Sequence, residues 1–425
     1  MTDTIFALSS GSPPAAIAIV RVSGPRAGEA LKMLAGHLPA PRRATFRRLR
    51  EGAGEVLDQA VVLWFPGPGT ATGEDLAELH LHGGRAVVAA VERALEEIPE
   101  LRRATPGEFT RRAFANGCID LAEAEGLADL LSAETELQRR NAMALAGGAL
   151  SRTVEDWRER LLALSAAVEA VLDFADEDDV AHMPPDFARR LDSLADEIGE
   201  WLARPRAELL KDGFTVVLAG PPNAGKSSLF NALVDSDAAI IAPIPGTTRD
   251  VLTRPVALDG VPFVFVDTAG LRERSPDPIE RIGVARARSA ASEADLVLWL
   301  GPEGEGPHGG WEVEARIDAG DAVPKRAPRH RVSAVTGQGV DALRRDLVDH
   351  AKGAMPRAGE AALNRRQHTL LASAKQELRD ARGHHDPLLL AEHLRLARTA
   401  FDALLGRTAT EDVLDALFGR FCIGK

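Results

Sequence analysis

The sequence predicts a multidomain α+β protein in which an α/β domain is inserted between two helical segments. Three observations carry that prediction. Residues 1–118 mix strand-like alternation with amphipathic helix. Residues 119–210 and 351–425 are rich in alanine, leucine and arginine with helical periodicity. Residues 211–350 alternate buried β-runs with helices.

In the first region "AAIAIVRVSG", "QAVVLWFPG" and "DLAELHLHGG" read as strands and "GRAVVAAVERALEEIP" as an amphipathic helix. Thr105-Pro106-Gly107-Glu108 has capping-box spacing with proline at the first helical position, so a helix is expected from there through Arg111 to Phe114. Farther on, Leu161, Leu164, Val168, Val171 and Leu172 fall on one helical stripe. "GFTVVLAG", "VPFVFVDT" and "ADLVLWL" then read as buried strands. A second helical stripe follows at Leu414, Leu417, Phe418 and Phe421. The two helical segments are expected to pack together as one domain.

A chain of 425 residues and 45.3 kDa, 45% hydrophobic and 27% charged, has the profile of a globular protein of about three domains. No stretch approaches the ~18 apolar residues of a membrane span, and the N-terminus has no basic start before an apolar core, so a cytoplasmic, membrane-free protein is expected. Two cysteines, Cys118 and Cys422, cannot build a disulfide framework. A net charge of −12 repels polyanions at long range, so any nucleic-acid partner needs a local basic patch. Two stretches offer one: "PRRATFRRLR" from Pro41 to Arg50, and the group Arg102, Arg103, Arg111 and Arg112.

The chemistry concentrates in "GPPNAGKSS", Gly220 to Ser228, which matches G-x-x-x-x-G-K-[ST] between a strand and a helix. There the loop Asn223-Ala224-Gly225 and the helix start at Lys226, Ser227 and Ser228 cradle phosphates. Lys226 supplies a cation to the outer phosphate oxygens, and the Ser227 hydroxyl suits Mg²⁺. Downstream, "IPGTTRD" (Ile244 to Asp250) and "DTAG" (Asp267, Thr268, Ala269, Gly270) fall at the spacing of GTPase switch elements. Thr248 is positioned to meet Mg²⁺ and the γ-phosphate, Asp267 to hold the metal through water, and Gly270 to bring a backbone amide to the γ-phosphate. These motifs identify a P-loop G domain.

Two departures stand out. The base-selecting N-K-x-D reads Ala315-Arg316-Ile317-Asp318, so only the aspartate is retained. A carboxylate at Asp318 still accepts from the guanine N1–H and exocyclic amine, and Val332-Ser333-Ala334 can offer backbone to guanine O6, which favours GTP over ATP. After DTAG, Leu271 stands where Ras-like enzymes place a water-positioning glutamine, so that work must move elsewhere. Two other signals imply no chemistry. His80 and His82 form an H-x-H with no third zinc ligand nearby, and the acidic run "DFADEDD" lacks the glycine turn of a calcium loop.

The G-domain motifs alone resemble ribosome-assembly GTPases of the Era and Der type, and a non-catalytic RNA-assembly switch is the alternative reading. The order "IVRVSG", "GEDLAELHLHGG", "PGEFTRRAFANGCIDLAEAEGLADLL", "GPPNAGKSSLFNAL", "PGTTRDV", "DTAGLRE", "IERIG" and "FCIGK" resembles, nearly end to end, the MnmE (TrmE) family of tRNA-modification GTPases. That resemblance implies a tetrahydrofolate-binding and dimerisation domain at 1–118, a helical domain from 119–210 and 351–425, and a G domain at 211–350. It implies a homodimer that works in a heterotetramer with the FAD-dependent partner MnmG. Together they add a carboxymethylaminomethyl or aminomethyl group at C5 of the wobble uridine of certain tRNAs, reached through local basic patches and the partner.

The one-carbon source implied is 5-formyl- or 5,10-methylene-tetrahydrofolate. Carried over by position, Asn223, Thr247 and the carbonyls of Ala242 and Ile244 look like ligands of a stimulating K⁺, replacing an arginine finger. Glu280 resembles the family's catalytic carboxylate, acting through water. Arg21 and Glu78 match folate contacts, and Cys118 stands where the family has a lysine. The tail implies a folate contact at Lys425 and a thiol at Cys422 near the one-carbon unit. Ile, Gly and Lys after Cys422 do not make a prenylation signal, which leaves a structural thiol as the other reading.

Overall fold

A computed structural model describes residues 3–52, 54–173, 183–234, 240–241, 252–267, 294–319 and 324–425. By backbone proximity the chain divides into two units, Met1–Ala128 with Thr399–Lys425, and Asp129–Arg398. No helix among the described residues is long and apolar enough to cross a membrane.

The first unit is built on a six-stranded sheet of β1 (Thr4–Leu8), β2 (Ile17–Ser23), β3 (Thr45–Arg50), β4 (Val56–Phe65), β5 (Leu76–His82) and β6 (Leu101–Arg103), in the order β3-β4-β5-β2-β1-β6. Alternation sorts its side chains into two faces. Phe6, Val20, Val22, Val62, Leu79 and Leu81 point to one face and join a core completed by the helices Ala27–Ala35 and Arg85–Glu96. Residues of the opposite parity, Ala7, Arg21 and Glu78 among them, share the other face: Arg21 stands opposite Glu78 and Ala7 opposite Arg21 in the register.

That second face is partly covered by the helix Glu108–Ala115, whose Phe109 packs on Ile5, Ala7 and Ala104. The helix begins at Glu108 and not at Pro106, although half of the anticipated box forms: the Thr105 amide donates to the Glu108 carboxylate at 2.9 Å. Gly107 precedes the helix in the left-handed region at φ 70°, and a Cβ there would lie 2.2 Å from the Phe418 carbonyl oxygen. The late start therefore has a packing cause. The stripe Leu414, Leu417, Phe418 and Phe421 belongs to this unit, buried against Leu121 and Ala124; its helix spans Glu411–Phe418 and leaves Phe421 just beyond.

In the second unit the helices Ala149–Asp173, Phe187–Leu202 and Arg365–Gly383 pack side by side. Leu161, Leu164 and Val168 are buried, while Val171 and Leu172 are half-buried. Two helix starts carry full capping boxes, Thr135 with Gln138 and Asn364 with Gln367. A seven-stranded sheet follows, ordered β13-β12-β11-β7-β10-β9-β8, with β7 Phe214–Ala219, β8 Ile240–Ile241, β9 Leu252–Leu258, β10 Val261–Asp267, β11 Leu296–Trp299, β12 Trp311–Ala315 and β13 His330–Val332. The strands from β13 to β10 run parallel, and β9 and β8 add an antiparallel edge. Central β7 has strands on both sides, so the loop after it opens at the carboxyl edge where open α/β sheets bind ligands.

Candidate functional site

The G-domain site starts from the end of β7. Gly220 leaves the strand at φ 150°, and a Cβ on it would come within 3.0 to 3.3 Å of the Leu300–Gly301 chain. Three residues on, Asn223 takes a left-handed φ of 61° and Gly225 one of 89°, which curls the loop over the start of the helix Lys226–Val234. Lys226 is buried, and its ammonium donates to the carbonyl oxygens of Gly220 (3.0 Å) and Pro221 (2.7 Å). The Ser227 hydroxyl donates to Asp267 Oδ2 at 2.6 Å. Asp267 ends β10, opposite Leu218 of β7, so the sheet register delivers the carboxylate to the first turn of the phosphate-loop helix. Oxygen donors paired in this way suit a hard cation such as Mg²⁺.

A cavity of ≈ 510 Å³ opens over this loop, and Asn223, Gly225, Lys226, Ser227 and Ser228 line it on one side. Arg316, Asp318 and Ala334 line it on the other. Ala224 turns inward against the domain core. Ser333 is buried below the cavity; its amide donates to the Gln338 carbonyl at 2.9 Å, and its hydroxyl accepts from the Thr336 amide at 3.1 Å, which fixes the turn that presents Ala334. Ala242, Ile244, Thr247, Thr248, Thr268, Ala269, Gly270 and Glu280 lie outside the described residues, as does Leu271.

Sequence reasoning passed over Arg316. It takes a left-handed φ of 60°, donates to the Asn223 carbonyl at 2.9 Å, and sets its Cγ 2.9 Å from where a Gly225 Cβ would be. One side chain thus ties the base end of the cavity to the phosphate end. The signal was present: Arg316 occupies the lysine position of the degenerate N-K-x-D.

A second constellation lies on the open sheet face of the first unit. Arg21 Nε and Nη2 both donate to Glu78 Oε1, at 3.1 and 2.8 Å, and His80 lies 3.3 Å from Glu78 Oε2. Burial alone would raise the Glu78 pKa, but Arg21 and His80 outweigh it and hold the carboxyl below its ordinary value. The Arg21 guanidinium also stands 5.9 Å from the Phe109 ring centre. His82 turns to Asp58, at 2.7 Å, so the H-x-H pair is divided between two carboxylates.

The tail reaches this region by close backbone packing. The Gly107 amide donates to the Cys422 carbonyl at 3.5 Å, as does Lys425 at 3.2 Å, and Gly424 at φ 93° leaves no room for a Cβ, which would sit 2.2 Å from the Leu8 carbonyl oxygen. Leu8 pairs with Val20, the neighbour of Arg21. Cys422 and Cys118 are both exposed, so neither is a buried core thiol, and Cys118 Sγ lies 2.9 Å from where a Gly73 Cβ would be.

The family model described as the MnmE helical domain matches residues 121–422, and that described as the GTP-binding protein TrmE N-terminus matches residues 4–118. The chain is 63% identical over 423 residues to the tRNA modification GTPase MnmE of Erythrobacter litoralis, with all of both chains covered. It is 64% identical over 437 residues to the tRNA modification GTPase MnmE of Novosphingobium aromaticivorans, again with both fully covered. Among solved structures, the G domain of the T. maritima FeoB iron transporter matches 32% of this chain and 98% of its own at 27% identity, with a TM-score of 0.23. With relatives of that identity matching from end to end, and family models covering both the N-terminal and the helical regions, the chain belongs to the MnmE family of tRNA modification GTPases and is a GTP hydrolase.

Proposed function

We propose that the chain is a potassium-stimulated, Mg²⁺-dependent GTPase of the cytoplasm that works as a homodimer with an FAD-dependent partner of the MnmG type. The pair adds a carboxymethylaminomethyl or aminomethyl group at C5 of the wobble uridine of certain tRNAs. A bound 5-formyl- or 5,10-methylene-tetrahydrofolate supplies the one-carbon unit.

The observation that carries this reading is the Arg21–Glu78 pair on an open sheet face with the Cys422 tail packed at Leu8 beside it. A guanidinium and a carboxylate side by side match a ligand with carboxylates at one end and a donor-rich heterocycle at the other. Cys422 brings a thiol that is exposed, and Lys425 a cation, on a segment that an RNA-assembly switch would not require. In the G domain, Ser227 and Asp267 would hold Mg²⁺ together with Thr248. The left-handed Asn223 at the lip of the cavity supports a K⁺ site shared with Thr247 and the carbonyls of Ala242 and Ile244. The cation offsets charge that develops on the phosphates, the task an arginine finger performs in other GTPases. Asp318 and Ala334 would read guanine, and Glu280 would act on water.

Two measurements test the reading together. Calorimetric titration with 5-formyl-tetrahydrofolate should give saturable binding, and GTP turnover should be faster in KCl than in NaCl at equal ionic strength. A chain that binds no folate at ligand-saturating concentrations would overturn the folate part of this reading and leave the family's GTPase activity in place.

A further inference from the structure

The two arginine-rich stretches have opposite fates in the fold. Arg102 bonds to Asp3 and Glu108, Arg103 to Glu92 and Glu96, and Arg111 to Glu411 and Asp415. Arg112 is wholly buried among Asp3, Glu74 and Glu108, at 3.0 to 3.2 Å. All four guanidiniums are neutralised by carboxylates and serve the packing of the unit.

Arg42, Arg43, Arg47, Arg48 and Arg50 form no ion pair with a carboxylate among the described residues. Where their guanidiniums have partners, these are uncharged or aromatic. Arg42 reaches the Gly69 carbonyl and the Phe65 ring, Arg47 the Phe46 carbonyl and His37, and Arg50 the Gly54 carbonyl. The nearest acids in sequence, Glu51 and Glu55, sit past the end of the strand, and Asp58 is bonded to His82. Arg47, Arg48 and Arg50 lie on β3, the edge strand, which pairs with β4 alone. Phe46, just before Arg47 on the same strand, is 60% exposed.

In a chain of net charge −12, exposed Arg42, Arg43, Arg48 and Arg50, with half-buried Arg47 beside them and no ion pair among the described residues, make a local positive field at this edge. The alternation of β3 puts Phe46, Arg48 and Arg50 on the open face that also carries Arg21 and Glu78. Three strand spacings, about 14 Å, separate β3 from β2.

We propose that β3 and the turn before it form the surface that grips the phosphate backbone of the tRNA substrate, with Phe46 as a stacking platform for an unstacked base. This rests on the tRNA-modification activity of the family. Guanidiniums bind phosphate oxygens in a bidentate fork, and an exposed aromatic beside them takes any base by its face. Backbone held at β3 leaves a neighbouring nucleotide within reach of the Arg21–Glu78 face.

The test is fluorescence anisotropy of the full chain with an unmodified tRNA transcript across a salt series. The paired substitution Arg48→Gln with Arg50→Gln should weaken binding at least 10-fold at 0.1 M salt and flatten the salt dependence by about 1.5 log units per decade, since each phosphate contact contributes roughly 0.7 to 0.9. Phe46→Ser should weaken binding with the slope unchanged, and the ion-paired Arg103→Gln should change neither. The melting temperature of every variant should equal that of the parent, which reports an intact fold of the first unit. Unaltered tRNA affinity and slope in the paired variant would overturn the proposal. So would an equal loss in Arg103→Gln, or a loss of binding to anionic lipid vesicles with none to tRNA. A parent chain that binds no tRNA alone would also overturn it, whereas the modification activity is judged separately, by modified uridine formed with the partner present.

Discussion

Gly220–Ser228 supply the phosphate end of the nucleotide cavity from nine consecutive residues, and strand register adds Asp267. The sheet-face constellation instead gathers Arg21 from β2, Glu78 from β5, Phe109 from a helix start and Gly424 from the tail. The first site is built by a local backbone shape, and distant substitutions should hardly disturb it. The second exists only while the whole unit is packed, so a side chain added far along the chain can weaken it.

The strongest way to break that contrast is Lys226→Ala. Removing the cation that the loop cradles should lower GTP turnover about 10²- to 10³-fold, while affinity for the proposed folate ligand, by equilibrium dialysis, stays at the parent value. A parallel loss at both sites would show that they are one coupled assembly.

Next in size is Glu108→Gln, which tests the packing on which the second site depends. Burial pushes the Glu108 carboxyl up, but Arg102, the Thr105 amide and Arg112 outweigh it and bring its pKa down to about 2 from an ordinary 4.5. A depressed folded pKa means that the stabilisation is fully present above pH 4.5 and is lost as pH falls from about 4.5 through about 2. The parent should lose up to about 3 kcal/mol of N-terminal-unit stability across that window. The glutamine variant should start lower at pH 7 and show a flatter profile in chemical denaturation at each pH. An identical acid profile in both proteins would remove Glu108 from the account.

Smaller, and aimed at the tail alone, is Gly424→Val. Its Cβ would collide with the Leu8 carbonyl and its φ of 93° would be strained, so the tail should lift. Binding of the proposed folate ligand should weaken about 10-fold, roughly 1.4 kcal/mol, with GTP turnover and melting temperature unchanged. Unaltered folate affinity would mean that the tail rests beside the site without contributing to it.

The same contrast explains what could be read from the sequence. "GPPNAGKSS" fixes its own backbone through glycines and a helix start, so its residues were legible one by one. The strands β2, β4 and β5 were legible from alternation, and the Leu414–Phe421 stripe from its period. The partners of that stripe, Leu121 and Ala124, were not, because periodicity states that a face is apolar and not what covers it. The helix start at Thr105–Glu108 was misjudged by two residues because the deciding contact, the Phe418 backbone, lies some 300 positions away. The stretch "PRRATFRRLR" was read only as charge. Its strand character was masked by arginines whose freedom from carboxylates only the folded unit reveals.

The grouping of Thr399–Lys425 with Met1–Ala128 also bears on how the protein is made. Arg111 meets Asp415 across a sequence separation of 304. A ribosome adding about 5–20 residues per second needs roughly 15–50 s to travel from position 128 to position 399. Throughout that interval the surface of Phe114, Leu121 and Ala124 is exposed to solvent without its cover. The nascent chain therefore spends most of its synthesis with an uncapped apolar patch, a natural target for chaperones, and a product cut short before the tail never completes its first unit.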